Sequence, residues 1–220
     1  MTSEALIVVA EQALSAAIGN ALRRVLNLRA EQAFADLMDE LRLEKITPES
    51  AAADDKTAAR MLAFFAAMSQ GAARRNLRVM AQIIARRAAY PLQAEDDFLS
   101  WSNTIAGLRR EEVILLATFH RHQVACMQGL GPDPNADERH EKMLDTNRLT
   151  KEELIGPEKP FKTESAFMAT AHGLTRTALL IDYPVLDFSC FQTTTLMVEL
   201  AEMIRLDQWA DEALAGLDFT

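Results

Sequence analysis

His120, His122 and Cys126 are the side chains of this sequence that most resemble a metal-binding set, because imidazole nitrogen and thiolate sulfur are the usual ligands of zinc. On a helix His122 and Cys126 share a face at i, i+4, whereas His120 points about 160° away. The trio therefore offers two ligands, short of a zinc site. His140 stands in Asp137-Glu138-Arg139-His140, which lacks ligand spacing, and His172 precedes Gly173, where it reads as a cation at a helix end.

Nucleophilic and phosphate-handling signatures were sought next. The chain holds no Gly-x-Ser-x-Gly elbow, no Gly-Lys-Ser/Thr phosphate loop, no His-Glu-x-x-His and no dinucleotide fingerprint. Gly129-Leu130-Gly131 runs into Pro132 and suits a turn. The sequence accordingly predicts a non-enzymatic protein with no catalytic, cofactor-binding or metal-binding residues and no cofactor.

Charge supplies a second kind of chemistry. Between Asp55 and Glu95 there is no acid, while Lys56, Arg60, Arg74, Arg75, Arg78, Arg86 and Arg87 are all basic. With Arg74 at the origin of a helical wheel, Arg78, Arg75 and Arg86 fall at about 40°, 100° and 120°, and Leu77, Met80, Ile83 and Ile84 at roughly 180–300°. Such a face suits phosphate or an acidic protein partner, or is an ordinary solvated or internally paired side. The acids at Glu95, Asp96 and Asp97, or at Glu199, Glu202, Asp207, Asp211 and Glu212, would serve for pairing. Arg74, Arg75, Arg78 and Arg86 are thus the candidates for contact with a partner or nucleic acid. No aromatic residue lies among them to stack a base.

The bulk properties restrict the setting. The formal net charge of −9 opposes general attraction to nucleic acid or anionic membrane. With 220 residues, 49 % hydrophobic and 25 % charged, the chain can bury a sizeable core. Cys126 and Cys190 read as two buried thiols in a reducing compartment. Glu4 replaces the basic start of a signal peptide, and Glu11, Gln12 and Asn20 interrupt the apolar window from Ala5 to Leu22. A soluble, cytoplasmic protein without a membrane partner is expected.

Those residues must be positioned by helices. Ile7, Leu14, Ile18, Leu22, Val25, Phe34, Leu37, Met38 and Leu41 recur at helical intervals between Ser3 and Lys45. As one rod this segment would span roughly 60 Å. Either it bends near Gly19-Asn20 or Leu28, forming a hairpin, or it packs against a second copy. Ile7, Leu14, Ile18, Leu22 and Val25 are therefore the candidates for self-association into a homodimer. Thr47-Pro48 opens a second helical region, and Asp54 to Ala89 continues it with an interruption at Gly71. Met61, Leu62, Phe64, Phe65 and Met68 make its first half the expected centre of the fold. Phe64, Phe65, Met68, Met80, Phe98 and Trp101 are spaced as core residues. Glu95 to Ala106 and Arg109 to Gln128 are further helices, closed by Gly107 and Gly129.

From Gly129 to Lys162, GPDPN, a charged run, Gly156-Pro157 and Lys159-Pro160 predict an exposed connection. Thr150 to Glu153 fits a capping box and would start one short helix there. Thr163 caps a helix that stops or kinks at Gly173. IDYPVLDFSCFQTTT alternates Leu186, Phe188 and Cys190 with polar neighbours, a β segment, and Thr194 or Thr195 then caps a helix. Asp207 caps the last one, carrying Trp209 and Leu214. The expected fold is mainly α: a helical bundle with a long N-terminal helix or hairpin over 1–129, a connection over 130–162, and a small winged-helix-like module with a short β segment over 163–220.

Several of these pieces resemble the α-helical abortive-infection (Abi-alpha) proteins of bacteria. The similarity is carried by Asn76-Leu77-x-x-Met80-Ala81, by Leu108 before Glu111-Glu112, by Gly173-Leu174-x-Arg176-Thr177-Ala178-Leu179-Leu180, and by Thr195-Leu196-Met197. It spans about residues 60 to 206. The chain departs from the pattern at Ala178, where a glycine is expected, and lacks a glycine after Thr195-Leu196. The resemblance implies a largely helical fold and a phage-defence role, without a defined active site. Taken together, the expectation is a self-associating helical interaction protein, with a nucleic-acid-binding regulator acting through the C-terminal module or the arginine face as the alternative.

Overall fold

The computed structural model of the chain describes residues 24, 27–89, 96–131, 135–185 and 188–214. The architecture is mainly helical, with one two-stranded antiparallel sheet near the C-terminal end. Helix α1 occupies 27–43. It closes in a left-handed turn at Lys45 (φ 59°), where Lys45 N–H donates to the Arg42 carbonyl and Ile46 N–H to that of Leu41. The bend near Gly19-Asn20, and with it the choice between rod and hairpin, lies outside the described residues.

The stop and start signals at Thr47-Pro48, Gly71, Thr163 and Thr194 act as read. Thr47 accepts from Ser50 N–H and Pro48 is the first residue of α2 (Pro48–Ala53). Asp54 then caps α3 (Asp55–Ser69), accepting from Thr57 N–H at 2.9 Å and Thr57 Oγ1 at 2.6 Å. Gly71 (φ 92°) separates α3 from α4 (Arg74–Ala89), a backbone conformation that a side chain would strain. Helix α5 (Asp96–Ala106) and α6 (Arg110–Gln128) follow. Later come α8 (Glu164–Thr175), capped by Thr163, β1 (Leu180–Val185), β2 (Phe188–Thr193), α9 (Thr195–Met203), capped by Thr194, and α10 (Leu206–Leu214). Helix α10 starts one residue before Asp207, which therefore sits in its first turn and is not the cap.

Two helices form the centre. In α4 nearly every residue from Asn76 to Ala85 is buried except Arg78, and in α6 the run from Glu112 to Phe119 is buried. A helix covered on all sides carries apolar side chains all round, as Val113-Ile114-Leu115-Leu116-Ala117 does. This corrects the expectation for α3: Phe64 and Ala67 face the core, but Leu62 is 72 % exposed. Met80 and Trp101 are buried, Phe65 and Met68 pack against the core from its edge, and the Phe98 side chain lies outside the described residues. Phe167, Leu180, Phe191, Leu200 and Trp209 complete the same core from the C-terminal elements.

The stretch from 130 to 162 differs most from its reading. It holds a 19-residue helix, α7 (Ala136–Leu154), packed along α6 and β2. Its cap is Asn135, which accepts from Glu138 N–H at 2.9 Å while Glu138 accepts from Asn135 N–H at 3.0 Å. Thr150 lies inside the helix, wholly buried, its hydroxyl donating to the Thr146 carbonyl at 2.8 Å. The capping box assigned there is therefore absent. Beyond α7, Phe161 N–H donates to the Leu154 carbonyl and Gly156 N–H to the Phe161 carbonyl, which buries Phe161. Leu154 and Phe161 share one core with residues of the 1–129 and 163–220 segments, so the exposed connection at 130–162 is corrected to a packed element.

Gly173 is also not a stop. Helix α8 runs through it, and a Cβ there would lie 3.3 Å from Arg176 Nη1 and 3.7 Å from Glu112 Oε1. The glycine admits a close approach of α6 to α8. His172 presents its ring edge to Phe191, with centroids 5.2 Å apart, and tethers the helix to the hairpin. In the hairpin Leu180 pairs with Thr193 and Val185 with Phe188. Leu186 lies outside the described residues. Cys190 and Phe191 are both buried although adjacent, because β2 is covered on both sides, so the strict alternation expected of a half-exposed strand does not hold.

Ala178, where the abortive-infection pattern has glycine, adopts φ 57°. A left-handed non-glycine residue costs roughly 1–2 kcal/mol, and glycine would give back part of that in unfolded-chain entropy. Ala178→Gly should therefore stabilise the fold by up to about 1 kcal/mol, a rise in Tm of about 2–4 °C by calorimetry. A lower Tm would show that the methyl group matters more than the strain.

Candidate functional site

The arginine face of α4 is met by the acidic face of α1. Arg74 holds Asp36 in a two-pronged pair, Nε to Oδ2 and Nη2 to Oδ1, both at 2.9 Å. Arg78 Nε lies 3.7 Å from Glu40 and Arg86 Nε 3.6 Å from Glu44. The helices run the same way, so from Asp36–Arg74 to Glu40–Arg78 both advance by four residues, about 6 Å, and stay in register; Glu44 then pairs eight residues beyond Arg78, where the long Arg86 side chain reaches back past Gln82. Gln82 Nε2 donates to Glu40 at 3.4 Å and its oxygen accepts from Arg205 N–H at 3.1 Å. The Arg205 guanidinium also reaches Glu40, and Arg86 donates to the Glu202 carbonyl. Arg75 is half-buried and engaged within the protein.

Burial decides what this ladder contributes. Exposed ion pairs contribute little, but the Asp36 and Glu40 side chains are only 10 % and 5 % exposed. A buried carboxylate needs its cations, so Arg74, Arg78 and Arg205 act as structural clips for α1. The internally paired arrangement thus holds, with partners other than those named from sequence: Asp36, Glu40 and Glu44, plus one main-chain carbonyl. Their i, i+4, i+8 spacing was the signal in the sequence that pointed to them.

A second polar node ties α6 to α8. Glu112, wholly buried, accepts from Arg109 N–H at 2.8 Å, Arg109 Nη2 at 3.3 Å and Arg176 Nη1 at 2.8 Å. Burial alone would push this carboxyl up. The hydrogen bonds from Arg176 and from the Arg109 main chain and guanidinium outweigh burial and hold it below its ordinary value. Asn76, Leu108, Gly173 and Arg176 lie close to this node. Asn76 Nδ2 donates to the Leu108 carbonyl at 2.8 Å, just before Arg109, and Gly173 and Arg176 close on Glu112.

The histidines and cysteines are dispersed. His122 Nε2 lies 2.8 Å from Glu153, which also takes Arg121, so this imidazole clasps α6 to α7. The Glu153 carboxyl is raised by burial and lowered further by Arg121 and His122, ending below its usual range. Burial lowers the pKa of His120 against a smaller opposing effect of Asp207. Cys126 and Cys190 are free thiols, the latter pushed up by burial. Among the described residues no three His, Cys, Asp or Glu side chains gather as a metal site.

Of the self-association candidates, Ile7, Leu14, Ile18, Leu22 and Val25 all lie outside the described residues. The downstream part of that stripe is covered by the chain itself: Ala33, Leu37 and Leu41 are buried against the core. This corrects the expectation that the whole stripe needs outside cover. Phe34 and Leu28 remain 53 % and 54 % exposed. Among the described residues no helix is long and apolar enough to cross a membrane. No family model, no curated protein and no solved structure matches the chain.

Proposed function

We propose that this chain is a non-enzymatic, helical interaction protein that self-associates as a homodimer through its N-terminal segment. One observation carries the reading. Ile7, Leu14 and Leu28 fall at multiples of seven in sequence, with Ile18 and Val25 at the complementary positions, the spacing of a coiled-coil seam. At 100° per residue Leu28 lies opposite Leu37 on α1. The core takes Leu37 and leaves Leu28 exposed, so the inner stripe that holds α1 down and the outer seam are different faces. A second copy supplies the cover for the outer one.

Light scattering on the full chain at micromolar concentration should return twice the 24.5 kDa subunit mass. Leu14→Glu combined with Ile18→Glu and Leu28→Glu should return the subunit mass with the thermal melt of the core preserved. A wild-type mass of one subunit ends the proposal. The resemblance supports bacterial phage defence in the cytoplasm as the setting, in which case cells expressing the wild type should form fewer plaques than cells expressing the triple variant.

A further inference from the structure

The corner where α6 ends, α7 begins and the hairpin crosses encloses an open groove of about 710 Å³. This lies within the roughly 300–1,000 Å³ of sites that take small organic molecules. Its apolar lining is made by Met127 and Leu130 from the end of α6, Met143 from α7 and the ring of Tyr183 from β1. Methionine thioethers are polarisable and adapt to the faces and edges of flat rings. Tyr183 stands 48 % exposed beside them, a half-open aromatic surface.

The polar lining is Arg139, His140, Gln123 and Gln192. Arg139 and His140 project from successive positions of α7, and no carboxylate stands among the lining residues. That is unexpected in a chain with nine more acids than bases. Arg139 already has a partner within the protein, but a guanidinium has five N–H donors and one contact does not exhaust them. Gln123 lines the groove from α6 and is fixed because its Oε1 accepts from Thr193 N–H at 3.1 Å, which leaves its NH2 as a donor. The groove therefore combines hydrogen-bond donors and the Arg139 cation with thioethers and an aromatic ring.

We propose that this groove is a binding site for a small organic anion with a flat apolar body. The acid group is held by Arg139 and His140, and the body is laid between Tyr183 and the methionines. None of its lining residues belongs to the N-terminal segment, so the proposal does not rest on self-association.

Anilinonaphthalene sulfonate, a flat apolar anion, is the probe. Fluorescence and calorimetric titration of the full chain should give saturable binding of one molecule per chain. Arg139→Gln and Tyr183→Ala should each weaken it about tenfold, the loss of one charged contact or one stacked ring. Both side chains are on the surface, so the folded state, followed by thermal melting, should be unchanged. Arg148→Gln, on the same helix outside the groove, should leave binding as it was. Uncharged phenylnaphthylamine should bind at least about tenfold more weakly, because it offers nothing to the cations. Non-saturable binding, indifference to both groove variants, or equal binding of the uncharged probe would each overturn the assignment.

Discussion

Replacing Asn147 by alanine is expected to destabilise the fold by about 3 kcal/mol and to lower Tm by roughly 10 °C. Asn147 is a buried residue of α7 whose side chain behaves like the backbone of a further strand. Its Oδ1 accepts from Phe191 N–H at 2.9 Å, and its Nδ2 donates to the Phe191 carbonyl at 2.9 Å and to the Met143 carbonyl at 2.8 Å. The outward edge of β2 is thereby satisfied without a third strand. Alanine would leave the Phe191 N–H and carbonyl buried without those partners, and an unmade buried bond costs more than a made one contributes. Asn147→Asp should be no milder, since it keeps the acceptor but loses both donors and buries a charge. Hydrogen exchange localises the effect: amides from Ser189 to Thr193 should exchange faster, while those of α3 remain protected. A loss below about 1 kcal/mol would mean that solvent replaces the side chain at little cost and that Asn147 does not hold the hairpin.

Asn147 also shows why α7 was hard to read. Its buried face is Met143, Thr146, Asn147, Thr150 and Leu154, a helical spacing built largely from polar side chains. The threonine hydroxyls are satisfied by carbonyls one turn back and Asn147 by the hairpin, so polarity here does not signal exposure. Elements defined by local chemistry were legible: Thr47-Pro48, Thr163 and Thr194 begin helices because each cap needs only its own next few residues. Elements defined by distant partners were not. Gly173 reads as a stop locally, yet is glycine because α6 approaches it. The α1 stripe can be seen in sequence, but which body covers it cannot. The arginine face was visible and its amphipathic geometry correct, while its partners, Asp36, Glu40 and Glu44, lie some forty residues upstream with only their own four-residue spacing to identify them.

Glu112→Gln is expected to cost about 2–3 kcal/mol at neutral pH, and the size of the loss should depend on pH. Glutamine keeps the shape and gives up the charge that three donors address. Arg109 and Arg176 are more than half exposed and recover hydration when released, so the loss comes from the buried side of the node. The sign of the pH effect follows from the direction of the shift. The folded-state pKa of Glu112 lies below its ordinary 4.5, so the stabilisation is fully present above that value and is lost as pH falls through the folded pKa. The gap between wild type and Glu112→Gln, read from denaturant melts, should therefore be constant from about pH 6 to 7 and close progressively below 4.5. Arg176→Met sharpens the test. It leaves the buried carboxylate with Arg109 alone, so the carboxyl shifts upward from its wild-type position, and this variant should also approach wild type in acid. Two gaps that stay flat from neutral to acid pH would mean that Glu112 is not held as an anion, and α6 and α8 would then be held by the shared apolar core, which they enter through Val113, Leu116, Phe167 and Leu174, with the arginines merely adjacent.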